Sequence, residues 1–274
     1  AVLLKAVMDE LANETYQFYV GTSYRHCLIW NEGSVVELTP PHDVLGRVIK
    51  DYLPSDKALY EMMKKSYDIL VNHPINVERK KQGLNPANCC WFWGAGTKPM
   101  LSSFEEKTGK KGMMVSAVDL LKGIAVGASM GVAEVEGANG GLHTNYAGKV
   151  EAALNALTKD GYDFAYIHVE APDEMGHQGS VEKKVKAIEY LDEKVIRPVV
   201  ESLTANKVDF RMLVLPDHPT PIRVRTHTSD SVPYMLYDST NLSQHTWNYN
   251  EKEAKESGNF IAKGHEIIDY LFSK

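Results

Sequence analysis

Hydrophobic positions in the first 85 residues alternate between helical and strand-like spacing. The pattern predicts helices over 1–13 and 55–71 and strands over 16–20, 25–30 and 35–38. In the second helix, Leu59, Met62 and Leu70 recur at helical spacing and form an apolar stripe that should face a core. Short strands flanked by helices predict a small α+β domain over residues 1–85.

From residue 86 onward, short apolar runs alternate with longer helical patterns. The predicted strands cover 88–93, a segment beginning at 115, 164–169, 212–215 and 232–237. The predicted helices cover 117–129, 146–158, 181–203 and 259–272. This alternation is typical of an α/β domain with a mainly parallel sheet flanked by helices, and we assign it to residues 86–274. Ligands of such sheets bind at the carboxyl ends of the strands.

Composition narrows the functional class. The 274 residues are 43% hydrophobic and 24% charged, which excludes collagen-like and low-complexity chains. A net charge of −6 argues against nucleic-acid binding by bulk charge. The apolar runs are shorter than the roughly 20 residues of a membrane span. Cys27, Cys89 and Cys90 do not resemble a secreted disulfide set. We expect a cytoplasmic protein without nucleic-acid or membrane partners, and the oligomeric state stays open.

Carboxylate and imidazole side chains flank three of the predicted core strands. Two follow the strand at 164–169, two follow the strand at 212–215, and one precedes the strand at 232–237. They are Asp173, His177, Asp217, His218 and His227. Mixed carboxylate and imidazole ligands suit manganese, zinc or iron. Two such ions can activate an oxygen nucleophile and hold phosphoryl oxygens, so the pattern predicts a metal centre for phosphoryl chemistry.

The remaining histidines have simpler interpretations. His168 lies inside an apolar strand, and we expect it to support the core or the metal ligands. Structural or surface roles are expected for His42, His73, His143, His245 and His265. The glycine-rich stretch 137–141 lacks the spacing of a P-loop or a dinucleotide-binding loop, so we expect an ordinary loop there.

Basic residues of the first domain and its boundary are candidate anion contacts. They are Arg25, His26, Arg79 and Lys98. Arginine and lysine side chains that face a cleft bind phosphate or carboxylate. Taken singly, each of the four also fits a solvated surface charge, and the sequence does not show whether they converge.

Longer motifs resemble the archaeal-type cofactor-independent phosphoglycerate mutases of the alkaline phosphatase superfamily. Those around the candidate metal ligands are HVEAPDEMGH, LPDHPTP and THTSDSVP. Those elsewhere are GTSYRHCLIW, LTPPHD, NPANCCWFWGAGTKP and SFEEKTGKKGMMVSAVDLLKGI. Because the likeness runs in order over nearly the whole chain, it is more specific than any single motif.

The resemblance implies an alkaline-phosphatase-like core that holds two divalent ions, with an inserted domain over 1–85 that closes over substrate. It assigns Asp173, His177 and His227 to one ion, and Asp217 and His218 to part of the other ion's ligands. Manganese is the expected metal, with magnesium, zinc or cobalt as alternatives. The implied substrate contacts are Arg25, His26, Arg79 and Lys98.

The reaction implied by the resemblance is the interconversion of 3-phosphoglycerate and 2-phosphoglycerate, a step of glycolysis and gluconeogenesis. A serine carries the phosphoryl group between the two hydroxyls of the bound glycerate. The partner is thus a small phosphorylated hydroxy acid. Alternatives are a homoserine kinase-like phosphotransferase of threonine biosynthesis, another metal-dependent phosphomutase or phosphohydrolase, and a non-enzymatic binding module.

One feature departs from the family pattern. The family begins with a strand that carries a metal-binding Asp in a Gly-Asp-Gly context, and the nucleophilic serine follows later. Neither precedes Ala1 in this sequence. We therefore expect a fragment that contains the inserted domain and the C-terminal part of the core. The nucleophile is expected upstream of Ala1, and the chain by itself is expected to be inactive.

Overall fold

The computed structural model describes residues 1–21, 24–44, 46–242 and 247–273, without the side chain of His42. The chain divides into two compact units, residues 1–100 and 101–274. The roles predicted for His245 and for the His42 side chain fall outside the described residues.

In the first unit, two helices and a hairpin pack around an apolar cluster, and a third helix follows the second. Its elements are α1 (Val2–Leu11), β1 (Tyr16–Tyr19), β2 (Cys27–Trp30), α2 (Lys57–Val71) and α3 (Pro74–Lys81). Strands β1 and β2 are antiparallel, with Tyr16 opposite Trp30. The stripe predicted on the second helix is the buried face of α2, and it packs with Val7 of α1 and Phe18 of β1. This unit therefore has the predicted α+β composition.

Two predicted strands of this unit are wrong. The segments 35–38 and 88–93 have no regular secondary structure. Their apolar side chains still pack against the core, with Val36 and Phe92 partly buried there. A side chain replaces the missing strand partner, because the Cys90 backbone N–H donates to the Ser66 hydroxyl at 2.9 Å. An apolar run can thus bury its side chains without joining a sheet.

The second unit contains the remaining helices and strands. They are α4 (Phe104–Thr108), β3 (Gly112–Val115), α5 (Asp119–Gly127), β4 (Gly131–Val132), α6 (Tyr146–Thr158), β5 (Phe164–Ile167), α7 (Ala171–His177), α8 (Val181–Leu191), α9 (Arg197–Ala205), β6 (Arg211–Val214), β7 (Met235–Asp238), α10 (Glu251–Glu256) and α11 (Ile267–Phe272). Strands β4, β3 and β5 form a parallel sheet in that order. This parallel sheet, with its flanking helices, confirms the α/β prediction.

The last two strands do not extend this sheet in the described part of the chain. Among the residues that the structure describes, β6 and β7 pair only with each other, antiparallel, with Leu213 opposite Leu236. The prediction of one mainly parallel sheet therefore does not extend to β6 and β7. The predicted helix 181–203 runs through a π-helical turn at Asp192–Ile196. The predicted helix 259–272 is reduced to α11 and a 3-10 turn.

A buried lysine joins α6 to the end of β5. The Lys149 side chain is fully buried, and its Nζ donates to the His168 carbonyl at 2.7 Å. Burial lowers the pKa of Lys149, while the nearby Glu170 carboxylate acts in the opposite direction. The contact fixes the backbone between β5 and α7, the segment that leads into the candidate metal ligands.

Across the described residues, no helix combines the length and the apolar character that crossing a membrane requires. The predicted cytoplasmic location stays a prediction.

Candidate metal centre

Helix α7 supplies the first two candidate ligands. It begins four residues after β5 ends, and Pro172 occupies its first turn, where a missing N–H costs nothing. Asp173 and His177 are one helical turn apart and therefore share a face. The Asp173 Oδ2 atom lies 3.3 Å from the His177 Nε2 atom.

The loop between β6 and β7 brings His227 to the same place. The His227 Nε2 atom lies 3.4 Å from Asp173 Oδ1 and 3.2 Å from His177 Nε2. The loop is held together by its own backbone, since the Thr228 N–H donates to the Pro219 carbonyl at 3.1 Å. His177 Nδ1 lies 3.0 Å from the Arg225 carbonyl oxygen. A proton on Nδ1 directed at that oxygen leaves Nε2 free to bind a metal.

The same loop carries the other two candidates. The His218 ring lies over the His227 ring, with 3.7 Å between their centroids. One ligand atom each from Asp173, His218 and His227 lies within 4.8 Å of the others. Asp217 is more peripheral, because its side chain is exposed and its Oδ2 lies 3.5 Å from His218 Nε2.

The donor set fits a divalent ion. Two donors at about 2.0–2.2 Å from one ion lie roughly 2.8–3.6 Å apart in tetrahedral or octahedral geometry. The two imidazole Nε2 atoms are 3.2 Å apart, and each lies 3.3–3.4 Å from a different Asp173 oxygen, Oδ2 for His177 and Oδ1 for His227, so each separation falls inside that range. One carboxylate and two imidazoles also match the chemistry of manganese or zinc sites. These residues could hold one ion, and His218 lies next to them as a donor for a second.

Comparison with known proteins identifies the family. The family model described as Metalloenzyme superfamily matches residues 49–274. The model described as 2,3-bisphosphoglycerate-independent phosphoglycerate mutase matches residues 1–76. A relative of that name in Methanosarcina barkeri is 44% identical, and the match covers 98% of this chain and 69% of the relative. The chain belongs to the 2,3-bisphosphoglycerate-independent phosphoglycerate mutase family.

Solved structures agree with the family on the fold. A Pyrococcus horikoshii protein matches with a TM-score of 0.66 and 31% identity, over 79% of this chain and 57% of that protein. The cofactor-independent phosphoglycerate mutase from Thermoplasma acidophilum matches with a TM-score of 0.56 and 24% identity. That second match covers 98% of this chain and 68% of the other, and it supports the fold alone.

His168 directly follows β5 and precedes the candidate metal ligands in this mutase-family chain. Its Nδ1 lies 3.1 Å from the Ser116 hydroxyl, and its backbone carbonyl accepts the hydrogen bond from Lys149. Burial lowers the pKa of His168, and the Asp217 carboxylate opposes that effect. Burial therefore disfavours the protonated form of the ring.

The lowered pKa of His168 makes stability depend on pH. Because the folded-state value lies below the ordinary value of 6.5, the unfolded chain takes up the proton first as the pH falls. The contribution of neutral His168 is fully present above about pH 6.5 and is lost as the pH falls through the folded-state pKa. A His168→Gln variant should therefore lose less stability than the parent between pH 7 and pH 5, as measured by urea unfolding in chelator.

The matched control for this prediction is His265→Gln, because the His265 side chain is 80% exposed. Its acid-induced loss of stability should equal that of the parent. An equal loss in His168→Gln and in the parent would contradict a lowered pKa of this half-buried ring.

The four candidate anion contacts belong to the first unit, and the metal candidates belong to the second. The Arg25 guanidinium lies 5.3 Å from the centroid of the Tyr24 ring. His26 Nδ1 accepts from the Gly21 N–H at 3.2 Å, and burial together with the N-terminal ammonium lowers the pKa of His26. Arg79 is in the last turn of α3, where its Nε donates to the Asn85 carbonyl at 2.8 Å. Lys98 is exposed. Among the described residues, no hydrogen bond or ion pair joins Arg25 or His26 to the other two.

Two residues at the candidate metal centre were not predicted from the sequence. The Thr220 hydroxyl donates to Asp173, and Lys184 Nζ donates to the Thr220 carbonyl at 2.6 Å. The position of Thr220 two residues after His218, in a proline-bounded turn, was the available signal. Lys184 carried none, because it looks like any lysine of an amphipathic helix.

Proposed function

We propose that this chain forms the metal-binding part of a mutase that interconverts 3-phosphoglycerate and 2-phosphoglycerate through a phosphorylated serine, without a bisphosphoglycerate cofactor. The observation that carries the proposal is the convergence of Asp173, His177 and His227 in a chain of this family. The relatives bear the name of that activity.

The proposal assigns two divalent ions to the centre, with manganese as the preferred metal. Asp173, His177 and His227 would hold one, and Asp217 and His218 would supply part of the shell of the other. When bound, such ions lower the pKa of a coordinated hydroxyl and neutralise charge on a transferring phosphoryl group. The hydrogen bond available from His177 Nδ1 to the Arg225 carbonyl would orient the ring before metal arrives.

The residues of the first unit would bind the substrate's anionic groups. Arg25 offers a permanent cation that can contact phosphate or carboxylate through two N–H groups. The lowered pKa of His26 suits a neutral hydrogen-bonding partner beside it. Arg79 and Lys98 would supply further positive charge for binding these anionic groups. These roles rest on the residue types and their sequence motifs.

A chimera tests the proposed activity directly. This chain replaces the 277-residue matching stretch of the Methanosarcina barkeri relative, so that everything else the relative contains is present. The chimera is incubated with manganese and 3-phosphoglycerate, and phosphorus NMR follows the products. A parallel sample contains ATP and homoserine. We expect 2-phosphoglycerate in the first sample, without added bisphosphoglycerate, and no phosphohomoserine in the second.

The unmodified Methanosarcina barkeri relative is the positive control for the chimera. A folded chimera that binds manganese but leaves 3-phosphoglycerate unchanged, while the parent relative isomerises it, would contradict the mutase proposal. Phosphohomoserine in the second sample would replace it with the kinase alternative. Inorganic phosphate as the main product would indicate a phosphohydrolase.

A further inference from the structure

Thr220 lies between the two groups of candidate ligands. Its side chain is buried, with 4% of the residue exposed. Its hydroxyl contacts the Asp173 carboxylate on one side and lies 3.4 Å from His218 Nδ1 on the other. We propose that Thr220 is a positioning residue that couples the two ion sites through this hydroxyl. The inference rests on the proposed function, because it assumes that Asp173 and His218 bind metal.

The Thr220 hydroxyl has one proton to donate and two lone pairs to accept with, and this determines its hydrogen bonds to Asp173 and His218. The single O–H of Thr220 donates to Asp173 Oδ1, so its lone pairs face the other neighbour. His218 Nδ1 must then carry a proton to donate to the Thr220 oxygen. That tautomer leaves His218 Nε2 unprotonated, as a metal ligand requires. One hydroxyl would thereby fix both the rotamer of Asp173 and the tautomer of His218.

The Thr220 backbone is fixed independently of its hydroxyl. Lys184 Nζ donates to the Thr220 carbonyl at 2.6 Å. Gly176 of α7 packs so closely that a Cβ there would lie 2.5 Å from the same carbonyl oxygen. These two contacts keep the Thr220 backbone next to Asp173 and His218. They also hold α7 against the loop between β6 and β7. Buried hydrogen-bond partners of metal ligands commonly change metal affinity by roughly 10- to 100-fold.

The manganese affinities of two Thr220 variants distinguish the effect of the hydroxyl from the effect of methyl packing. Manganese binding to the full chain is titrated by electron paramagnetic resonance of the free ion. We expect Thr220→Val, which keeps the shape, to weaken manganese binding roughly 10- to 100-fold. Thr220→Ser, which keeps the hydroxyl, should stay within about threefold of the parent. The matched control is Thr158→Val, because that hydroxyl bonds only within α6 in the described structure, to the Leu154 carbonyl.

A spectroscopic signature tests the tautomer. In nitrogen-15 spectra of the histidine rings without metal, His218 of the parent and of Thr220→Ser should have its proton on Nδ1. Thr220→Val should shift this tautomer equilibrium toward Nε2–H. Thr220→Ala serves as the second variant if a methyl group against the Asp173 carboxylate prevents folding, and the same two shifts are expected.

The outcomes separate this inference from the proposed function. A parent chain that binds no manganese overturns the metal centre itself. A parent that binds manganese, with Thr220→Val and Thr220→Ala binding equally well, overturns the role of Thr220. Equal losses in Thr220→Ser and Thr220→Val also overturn it, because they would indicate packing and not the hydroxyl.

Discussion

Replacing Asp173 by asparagine is expected to remove manganese binding almost completely. Its carboxylate is the shared element of the site, since it lies within 3.4 Å of both His177 and His227 and accepts the Thr220 hydroxyl. Asparagine keeps the size but loses the charge and one oxygen donor. Because the loss of a ligand's hydrogen-bond partner already costs roughly 10- to 100-fold in affinity, the loss of the ligand should exceed about 100-fold. Electron paramagnetic resonance titration measures this, and the chimera carrying the change should lose its isomerase activity.

The control for the manganese titration of Asp173→Asn is the same change at an exposed aspartate. Asp192 has a side chain that is 69% exposed and lies 3.9 Å from an Arg197 nitrogen. Asp192→Asn should bind manganese like the parent. Unchanged manganese affinity in Asp173→Asn would show that the metal, if it binds, is held elsewhere.

Replacing Lys149 by alanine is expected to destabilise the second unit by about 3–5 kcal/mol. The side chain is fully buried, so its removal opens a cavity and leaves the His168 carbonyl without its donor. Hydrogen exchange of the β3 and β5 amides reports on this unit separately, and those amides should exchange at least about 100-fold faster. Lys149→Met refills most of the volume without the donor and should lose about 1–3 kcal/mol.

An exposed lysine of the same region provides the comparison. Lys159 follows α6 directly and is exposed, so Lys159→Ala should change stability by less than about 0.5 kcal/mol. If Lys149→Ala were as stable as Lys159→Ala, the buried ammonium would be dispensable to the unit.

Local residue patterns predicted some of the helices closely. Helix α6 has the predicted bounds because its apolar face and its Asn145 cap are local signals. The candidate ligands near β5 and β6 were singled out because Asp and His stand next to apolar runs, and their metal-binding roles stay predictions. Sheet pairing was predicted less well, since β6 and β7 pair antiparallel with each other. Strand pairing depends on contacts between distant segments, which a local sequence pattern does not contain.

The supporting residues required the structure. Lys149 and Thr220 have ordinary sequence surroundings, and each matters because of a partner that is distant in the chain. Lys149 reaches His168 across 19 positions, and Thr220 reaches Asp173 across 47. Helical or strand periodicity says nothing about such pairs. Lys149 joins α6 to the segment after β5, and Thr220 joins the loop between β6 and β7 to α7.

Anomalous diffraction shows whether Asp173, His177 and His227 share one ion. Crystals of the chain grown with manganese are measured on both sides of the manganese absorption edge. We expect an anomalous peak at about 2.0–2.3 Å from one atom of each of these three side chains. A manganese peak held by other residues, or its absence at this position in crystals that contain bound manganese, would contradict the account.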